Sequence, residues 1–330
     1  MIKYQAFELS YIDELLDIWN TEVAGVEIYA ELSKDEFMAK FINNYNYDPK
    51  GSIMALDGKK LVGFGNAIFY KDSDPEANPG FISMLVVRKE YRRQGIATNI
   101  LKILEDFIKS TGHKFMRNYF ASPINLKWYV PGYDHHEHMG CPAVPFNTSY
   151  YFFLLANGYN VNGQHDGYHA NLESYELTDE IKEKIAENEK DGYFVSYYDE
   201  TKHSGWDEFF DELGNEGFRR SVYNTLKTEN KNKLVIVSKD GKVVGFTGPV
   251  KTESSGRSSL SGVAIHPKHQ KRGLGKTMFC KFCEFSKEAG GKYMTLFTGS
   301  DNRARNIYLY AGLRVVMSFV VMRKDFKWCF

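Results

Sequence analysis

An α+β fold written twice in tandem is what this sequence predicts, and three observations carry the prediction. The segment DGKKLVGFG at residues 57 to 65 returns as DGKVVGFTG at residues 240 to 248. A basic glycine turn, YRRQGIA at 91 to 97, returns as HQKRGLG at 269 to 275. The apolar stripe behind the first turn, Ile100, Leu101, Leu104 and Phe107, returns 178 positions later as Met278, Phe279, Phe282 and Phe285. Repeats decide domain organisation before any other feature does. A chain of 330 residues also has the length for two cores.

Each copy has the same order of elements. The Gly-Lys pair turns the chain into an apolar strand, as in a hairpin. Another strand follows in each half, FISMLVV (81 to 87) or SLSGVAI (259 to 265). The glycine turn comes next, and then a helix with apolar residues at helical spacing. A fifth strand, KFMRNYF (114 to 120) or YMTLFTG (293 to 299), leads to a helix ending in Asn-Gly-Tyr (157 to 159) or Ala-Gly-Leu (311 to 313). Glycine past the last turn is the usual left-handed helix stop. The strands YHANLESYEL and VVMSFVVMRKDF close the two copies. The charged helical stretch TDEIKEKIAENEKDG (178 to 192) separates them. The expected domains are therefore residues 1 to 177 and 178 to 330, each a mixed, mostly antiparallel sheet flanked by helices.

Composition narrows the function classes. With 43% hydrophobic and 25% charged residues, the chain reads as an ordinary globular protein. Its 42 basic and 42 acidic side chains cancel, so no global field favours nucleic acid or an anionic membrane. The opening MIKYQAFELSYIDEL lacks the basic and apolar regions of a signal peptide. No apolar run reaches the roughly 20 residues that span a bilayer. Four cysteines make no disulfide framework at this length. A reduced, cytoplasmic setting is expected.

The chemistry lies in the duplicated turn. Small residues at the mouth of a helix let backbone N–H groups approach a pyrophosphate, and the helix N-terminus and flanking Arg and Lys add positive charge. A glycine-relieved turn with solvated basic side chains is the plain alternative. A dinucleotide fingerprint is a poor one, because G-x-G-x-x-G is absent. Strand, R/Q-x-x-G-x-G/A, helix, strand, and a helix carrying Asp301-Asn302-Arg303-Ala304 and Ile307-Tyr308 together resemble the GCN5-related N-acetyltransferase (GNAT) family. The resemblance covers both halves and is that of a tandem member of the mycothiol synthase type.

The resemblance implies that acetyl-CoA, as co-substrate, lays its pantetheine along the strand and its pyrophosphate on the turn. In the second half those positions are Val263, Ala264 and Ile265, then Lys271, Arg272, Gly273, Leu274, Gly275 and Lys276. In the first half they are Leu85, Val86 and Val87, then Arg93, Gln94, Gly95, Ile96, Ala97 and Thr98. It also implies a tyrosine four residues before the glycine that closes the next helix. A tyrosine there suits protonation of the departing thiolate, since its ordinary pKa of about 10 exceeds the thiol's of about 8.5. Tyr308 stands four before Gly312, whereas Leu154 stands four before Gly158. The C-terminal half is therefore the expected catalytic one, with Tyr150 or Tyr151 as candidates should the assignment be reversed. No glutamate lies on either strand before the turn, and the base is left open.

The first half carries an insertion. Gly95 and Gly158 are 63 positions apart, against 39 for Gly273 and Gly312. The extra residues, about 121 to 146, include WYVPGYDHHEHMGCPAVP. His135, His136, His138 and Cys141 are metal-ligand types, but their crowding in one loop suits a closed site poorly, and no metal is expected. A lid or interface loop facing substrate, or a loop packed by Trp128, Tyr129 and Tyr133, are the other readings. Cys280 and Cys283 lie on a helical stripe and read as core rather than as a redox pair. Asp207, Glu208, Asp211 and Glu212 read as a solvated helix face, or as attraction for a cationic acceptor if they face the cleft.

The function expected from these features is transfer of an acetyl group from acetyl-CoA to a primary amine on a small molecule or peptide. A CoA-binding sensor or scaffold without turnover is one alternative. An acyltransferase using another donor, such as an aminoacyl-tRNA, is the second, and the balanced charge disfavours it.

Overall fold

The computed structural model describes residues 1 to 24 and 28 to 326. Its contacts divide the chain into two compact units: unit 1, residues 1 to 166 with 317 to 330, and unit 2, residues 167 to 316.

In unit 1 the strands Ile2–Ala6, Ser52–Asp57, Lys60–Ile68 and Gly80–Val87 pair in that order, each antiparallel to the next. Phe115–Asn118 then runs parallel to Gly80–Val87. Both faces of the sheet are covered, because alternate strand residues point to opposite sides. Met54, Leu56, Phe64 and Met84 face a core shared with Ile12–Glu22 and with Phe37 and Phe41. Ile53, Ala55, Val62 and Ile82 face a second core built on the helix Ile96–Ser110. The apolar stripe of that helix was legible, since Ile100, Leu101 and Leu104 are all buried.

The last strand of unit 1 comes from the far end of the chain. Arg314–Asp325 pairs antiparallel with Phe115–Asn118, with Met322 opposite Asn118 and Asp325 opposite Phe115. The sequence reading gave this strand to the second domain and placed one boundary near residue 177. The contacts instead divide the chain at 166/167 and at 316/317, inside the strands Asn160–Asn171 and Arg314–Asp325. The physical reason lies in the side chains of residues 317 to 326. Val320, Met322 and Phe326 bury in the unit 1 core, and Lys324 Nζ donates to both Glu105 carboxylate oxygens at 2.8 Å.

Unit 2 repeats the plan. Tyr193–Tyr197, Val235–Lys239, Lys242–Thr247 and Val263–Ile265 form an antiparallel sheet. Arg257–Ser258 runs parallel to Tyr293–Gly299. The expected strand SLSGVAI is interrupted, because only 257–258 and 263–265 are strand. Gly262 sits between them at φ +131°, and a Cβ there would lie 2.8 Å from Phe218 Cε1. Glycine is what permits both the backbone turn and the ring's approach.

One buried histidine in unit 1 sets a pH dependence. His113 is 1% exposed, its Nδ1 is 2.7 Å from Thr111 Oγ1, and its ring meets Phe69 at 4.6 Å. Burial lowers its pKa below the usual 6.5. The neutral ring therefore contributes stability that is present above pH about 6.5 and lost as pH falls through the lower folded value. Urea midpoints at pH 7.5 and pH 5 are expected to differ less in His113→Phe than in wild type. An equal drop in both would contradict the assignment.

Candidate functional site: the glycine turn and cavity of unit 1

The strand Gly80–Val87 prepares the site by parting from its neighbour. It pairs with Phe115–Asn118 at Gly80–Met116 and Phe81–Arg117 alone, and runs on without that partner to Val87. On its other side the register slips, with Asn66 opposite Met84 and Ala67 opposite Ile82, so that Ser83 bulges. Bulges re-aim side chains and gather beside active sites. Among the described residues, the buried Ser83 Oγ has no hydrogen-bond partner.

The turn follows. Arg92 Nε donates to the Val87 carbonyl at 2.9 Å and ties the turn to the strand end. Arg93 at φ +63° and Gly95 at φ +79° bring the chain round, and Gly95 becomes the N-cap of Ile96–Ser110. No side chain caps this helix, so its first N–H groups lack a side-chain acceptor there. The space a Cβ would enter at Gly95 is open to 4 Å.

Unit 2 has the same backbone at the matching place. Gln270 Nε2 donates to the Ile265 carbonyl at 3.0 Å, Lys271 has φ +64°, and Gly273 has φ +78° at the uncapped start of Leu274–Glu288. Its surroundings differ. A Cβ at Gly273 would lie 3.1 Å from Lys184 Cε, Arg272 stacks over Tyr193 and Lys276 over Tyr310. Leu274 is buried, Gly275 approaches Ile307, and Ala264 is 8% exposed between the partly buried Val263 and Ile265.

A cavity of about 760 Å³ joins the elements of unit 1. Leu85, Val86 and Val87 line it, as do Arg93, Gly95, Ile96, Ala97 and Thr98 at the turn. Gln94 stands apart from the wall and donates to the Glu90 carbonyl at 3.1 Å. Tyr150 lines the cavity and Tyr151 does not; the Tyr151 ring packs on Phe146 at 5.3 Å. Asn118, at the end of the shortened strand, donates from Nδ2 to the Tyr150 hydroxyl oxygen at 3.1 Å and to the Ile82 carbonyl at 3.3 Å. That carbonyl fixes the amide's orientation, because a flipped amide would set two acceptors face to face. With its oxygen occupied by this donor, the Tyr150 hydroxyl directs its own proton away from Asn118.

Tyr308 occupies a different environment. It is 6% exposed in the unit 2 core, 5.0 Å from the Phe279 ring and 5.7 Å from the Tyr168 ring. Burial first, and then Tyr168, pushes its pKa up to about 12.

The insertion serves the cavity through its flanks. Tyr119, Ser122, Ile124, Leu126, Cys141 and Ala143 all line the wall. Its middle is a small hairpin in which Trp128 pairs with His138 and Tyr129 with Glu137. Trp128 is fully buried, donating from Nε1 to the Gly140 carbonyl at 3.2 Å and meeting Phe319 edge-on at 5.1 Å. The middle of the insertion is thus packed as a loop, and residues at its two ends line the cavity. Among the described residues, no three His, Cys, Asp or Glu side chains are grouped to hold a metal ion. Burial pushes the Cys141 thiol up to about 12.

Burial and pairing describe two smaller groups. Cys280 and Cys283 are free thiols packed in the unit 2 core. The acidic face at Asp207 to Glu212 is exposed and paired in part: Asp211 bonds Arg219, and Glu212 bonds Lys268 at 2.6 Å. Sequence reasoning missed Asn118, Trp19 and Tyr29. For Asn118 the available signal was an uncharged amide beside Arg117 within the strand KFMRNYF.

Likeness to known proteins follows the same geometry. The chain superposes on a fungal GCN5-related glucosamine N-acetyltransferase region of a multi-domain β-N-acetylglucosaminidase with TM-score 0.65 at 14% identity, covering 98% of this chain and 38% of that one. It superposes on a GCN5-related N-acetyltransferase from Sphaerobacter thermophilus with TM-score 0.61 at 11% identity, covering 98% and 95% of the two chains. A tandem GNAT protein from the clavulanic acid biosynthesis pathway gives TM-score 0.56 at 13% identity, over 98% of each chain. At such identities the likeness concerns the fold. No protein of curated function matches the sequence. No helix among the described residues is long and apolar enough to cross a membrane. The acetyltransferase (GNAT) family profile matches residues 12 to 126 and again 196 to 312, and the chain therefore belongs to that family as a tandem, two-repeat member.

Proposed function

We propose that unit 1 binds acetyl-CoA and transfers its acetyl group to a primary amine of a small molecule or peptide. The observation that carries this reading is the continuity of the cavity, which reaches from the Gly95 turn to Tyr150. Membership of an acyltransferase family supports the reaction class. The pyrophosphate lies on the N–H groups of residues 93 to 98, where the uncapped helix and Arg93 supply positive charge. The pantetheine arm lies along residues 82 to 87, whose backbone has lost a strand partner on one side. The neutral amine attacks the thioester carbonyl, a C–N bond forms and the C–S bond breaks. The thiolate takes the Tyr150 hydroxyl proton, and water returns a proton to the tyrosine. The amine's surplus proton leaves to solvent.

A second reading lets the Gly273 turn of unit 2 bind CoA as well, with Tyr308 as the acid. The matching φ values at the two turns favour it, while the packing of Lys184 against Gly273 and of Tyr308 in the core favours unit 1. The proposed reaction is tested by thiol release from acetyl-CoA in the presence of mixed primary amines. Turnover that depends on the amine is expected; binding of acetyl-CoA with no thiol released would make the chain a CoA-binding protein instead.

A further inference from the structure

We propose that Trp19, Tyr29, Tyr119, Ile124 and Leu126 form a subsite in the unit 1 cavity for an uncharged, ring-sized apolar group carried by a substrate. The proposal rests on the acyl-CoA reading of that cavity and deepens it. The ring-sized group belongs either to the acyl part of the thioester or to the body of the amine, and the chemistry of recognition is the same.

The five side chains are aromatic or aliphatic, and Ser122, Asn125 and Cys141 lie among them in the wall. Trp19 spends its polar edge inside the unit, donating from Nε1 to the Ala30 carbonyl at 3.0 Å, and its ring meets Tyr29 at 5.5 Å. Ile124 and Leu126 belong to the same core as Trp19. The Tyr119 ring packs on Phe120 at 4.3 Å and carries the Arg117 guanidinium on a face. These rings are held before any ligand arrives, which lowers the ordering cost of binding.

The charges point the same way. Among the described residues lining the cavity, the charged ones are Arg93 and Arg92, both at the turn, and Arg92 is already paired with Glu22 at 3.3 Å. Behind the wall, the Lys40 ammonium donates to the Asn125 carbonyl at 3.0 Å. A polycation entering here would lose hydration and meet positive charge with no described carboxylate in the wall to receive it. An apolar ring would gain burial and ring-to-ring contacts.

Matched pairs of probes isolate the ring. Acetyl-CoA and phenylacetyl-CoA are titrated calorimetrically into the full chain, as are ethylamine, 2-phenylethylamine and spermidine into the chain loaded with CoA. At least one ring-bearing probe is expected to bind ten-fold or more tightly than its ring-free match, and the arm in which this happens identifies the source of the ring. Leu126→Asp and the more exposed change Tyr119→Asp should each erase that advantage and leave the Kd of CoA unchanged. Equal affinities within both pairs, or spermidine binding more tightly than 2-phenylethylamine, would overturn the subsite. Failure of wild type to bind CoA would overturn the acyl-CoA reading, and the amine pair, repeated without CoA, would still report on the subsite.

Discussion

Tyr150→Phe is expected to lower amine-dependent thiol release by about 10²- to 10⁴-fold, the usual range for a positioned acid, while the Kd of acetyl-CoA stays within two-fold. The asymmetry follows from what the hydroxyl does. It lines the cavity, accepts a hydrogen bond from Asn118 at 3.1 Å, and so presents its proton elsewhere. Phenylalanine keeps the ring and removes the hydroxyl, and with it both the proton and the acceptor for Asn118. Tyr308→Phe is the comparison, and turnover is expected to stay within a few-fold, because Tyr308 packs inside the unit 2 core. Initial rates with purified variants, alongside acetyl-CoA titrations, separate the two. A collapse with Tyr308→Phe and none with Tyr150→Phe would move the chemistry to unit 2.

The second large effect concerns stability. Lys324→Met is expected to destabilise unit 1 by about 2–4 kcal/mol, since removing one partner of a buried ion pair leaves the other charge uncompensated. Glu105 is 5% exposed, and its carboxylate receives Lys324 through both oxygens at 2.8 Å. The partial exposure of the Lys324 side chain, 26%, places the effect below that of a fully buried pair. In thermal unfolding this corresponds to roughly 4–16 °C for a unit of this size. The double change Glu105→Leu with Lys324→Met is expected to recover part of the loss, because an apolar pair carries no desolvation cost. A single variant that melts like wild type would show that the pair holds nothing.

How much of this was written in the sequence depends on the range over which each feature is encoded. The two turns were legible because their demand is local. Positive φ at Gly95 and Gly273 needs glycine, and the basic residues and helical stripe stand next to it in the chain. The last strand was not legible. Its partner, Phe115–Asn118, is about 200 residues away, and a strand of alternating apolar residues fits more than one sheet edge. Nor was the break in SLSGVAI, where the Phe218 ring approaches Gly262 from a separate helix. Tyr150 entered only as a candidate for a reversed assignment, because the rule counts back four residues from the closing glycine. That count lands on Leu154, which is fully buried, whereas the cavity meets Tyr150 one helical turn earlier.

The claim that unit 1 holds the cofactor is tested most directly by calorimetric titration of acetyl-CoA into wild type, Gly95→Glu, Gly273→Glu and the control Gly95→Ala. Alanine brings the left-handed strain, about 1–2 kcal/mol, without the carboxylate. Glutamate adds bulk and negative charge in the open space above Gly95. The account predicts that binding survives in Gly95→Ala and Gly273→Glu and disappears in Gly95→Glu. Binding that persists in Gly95→Glu and vanishes in Gly273→Glu would contradict it.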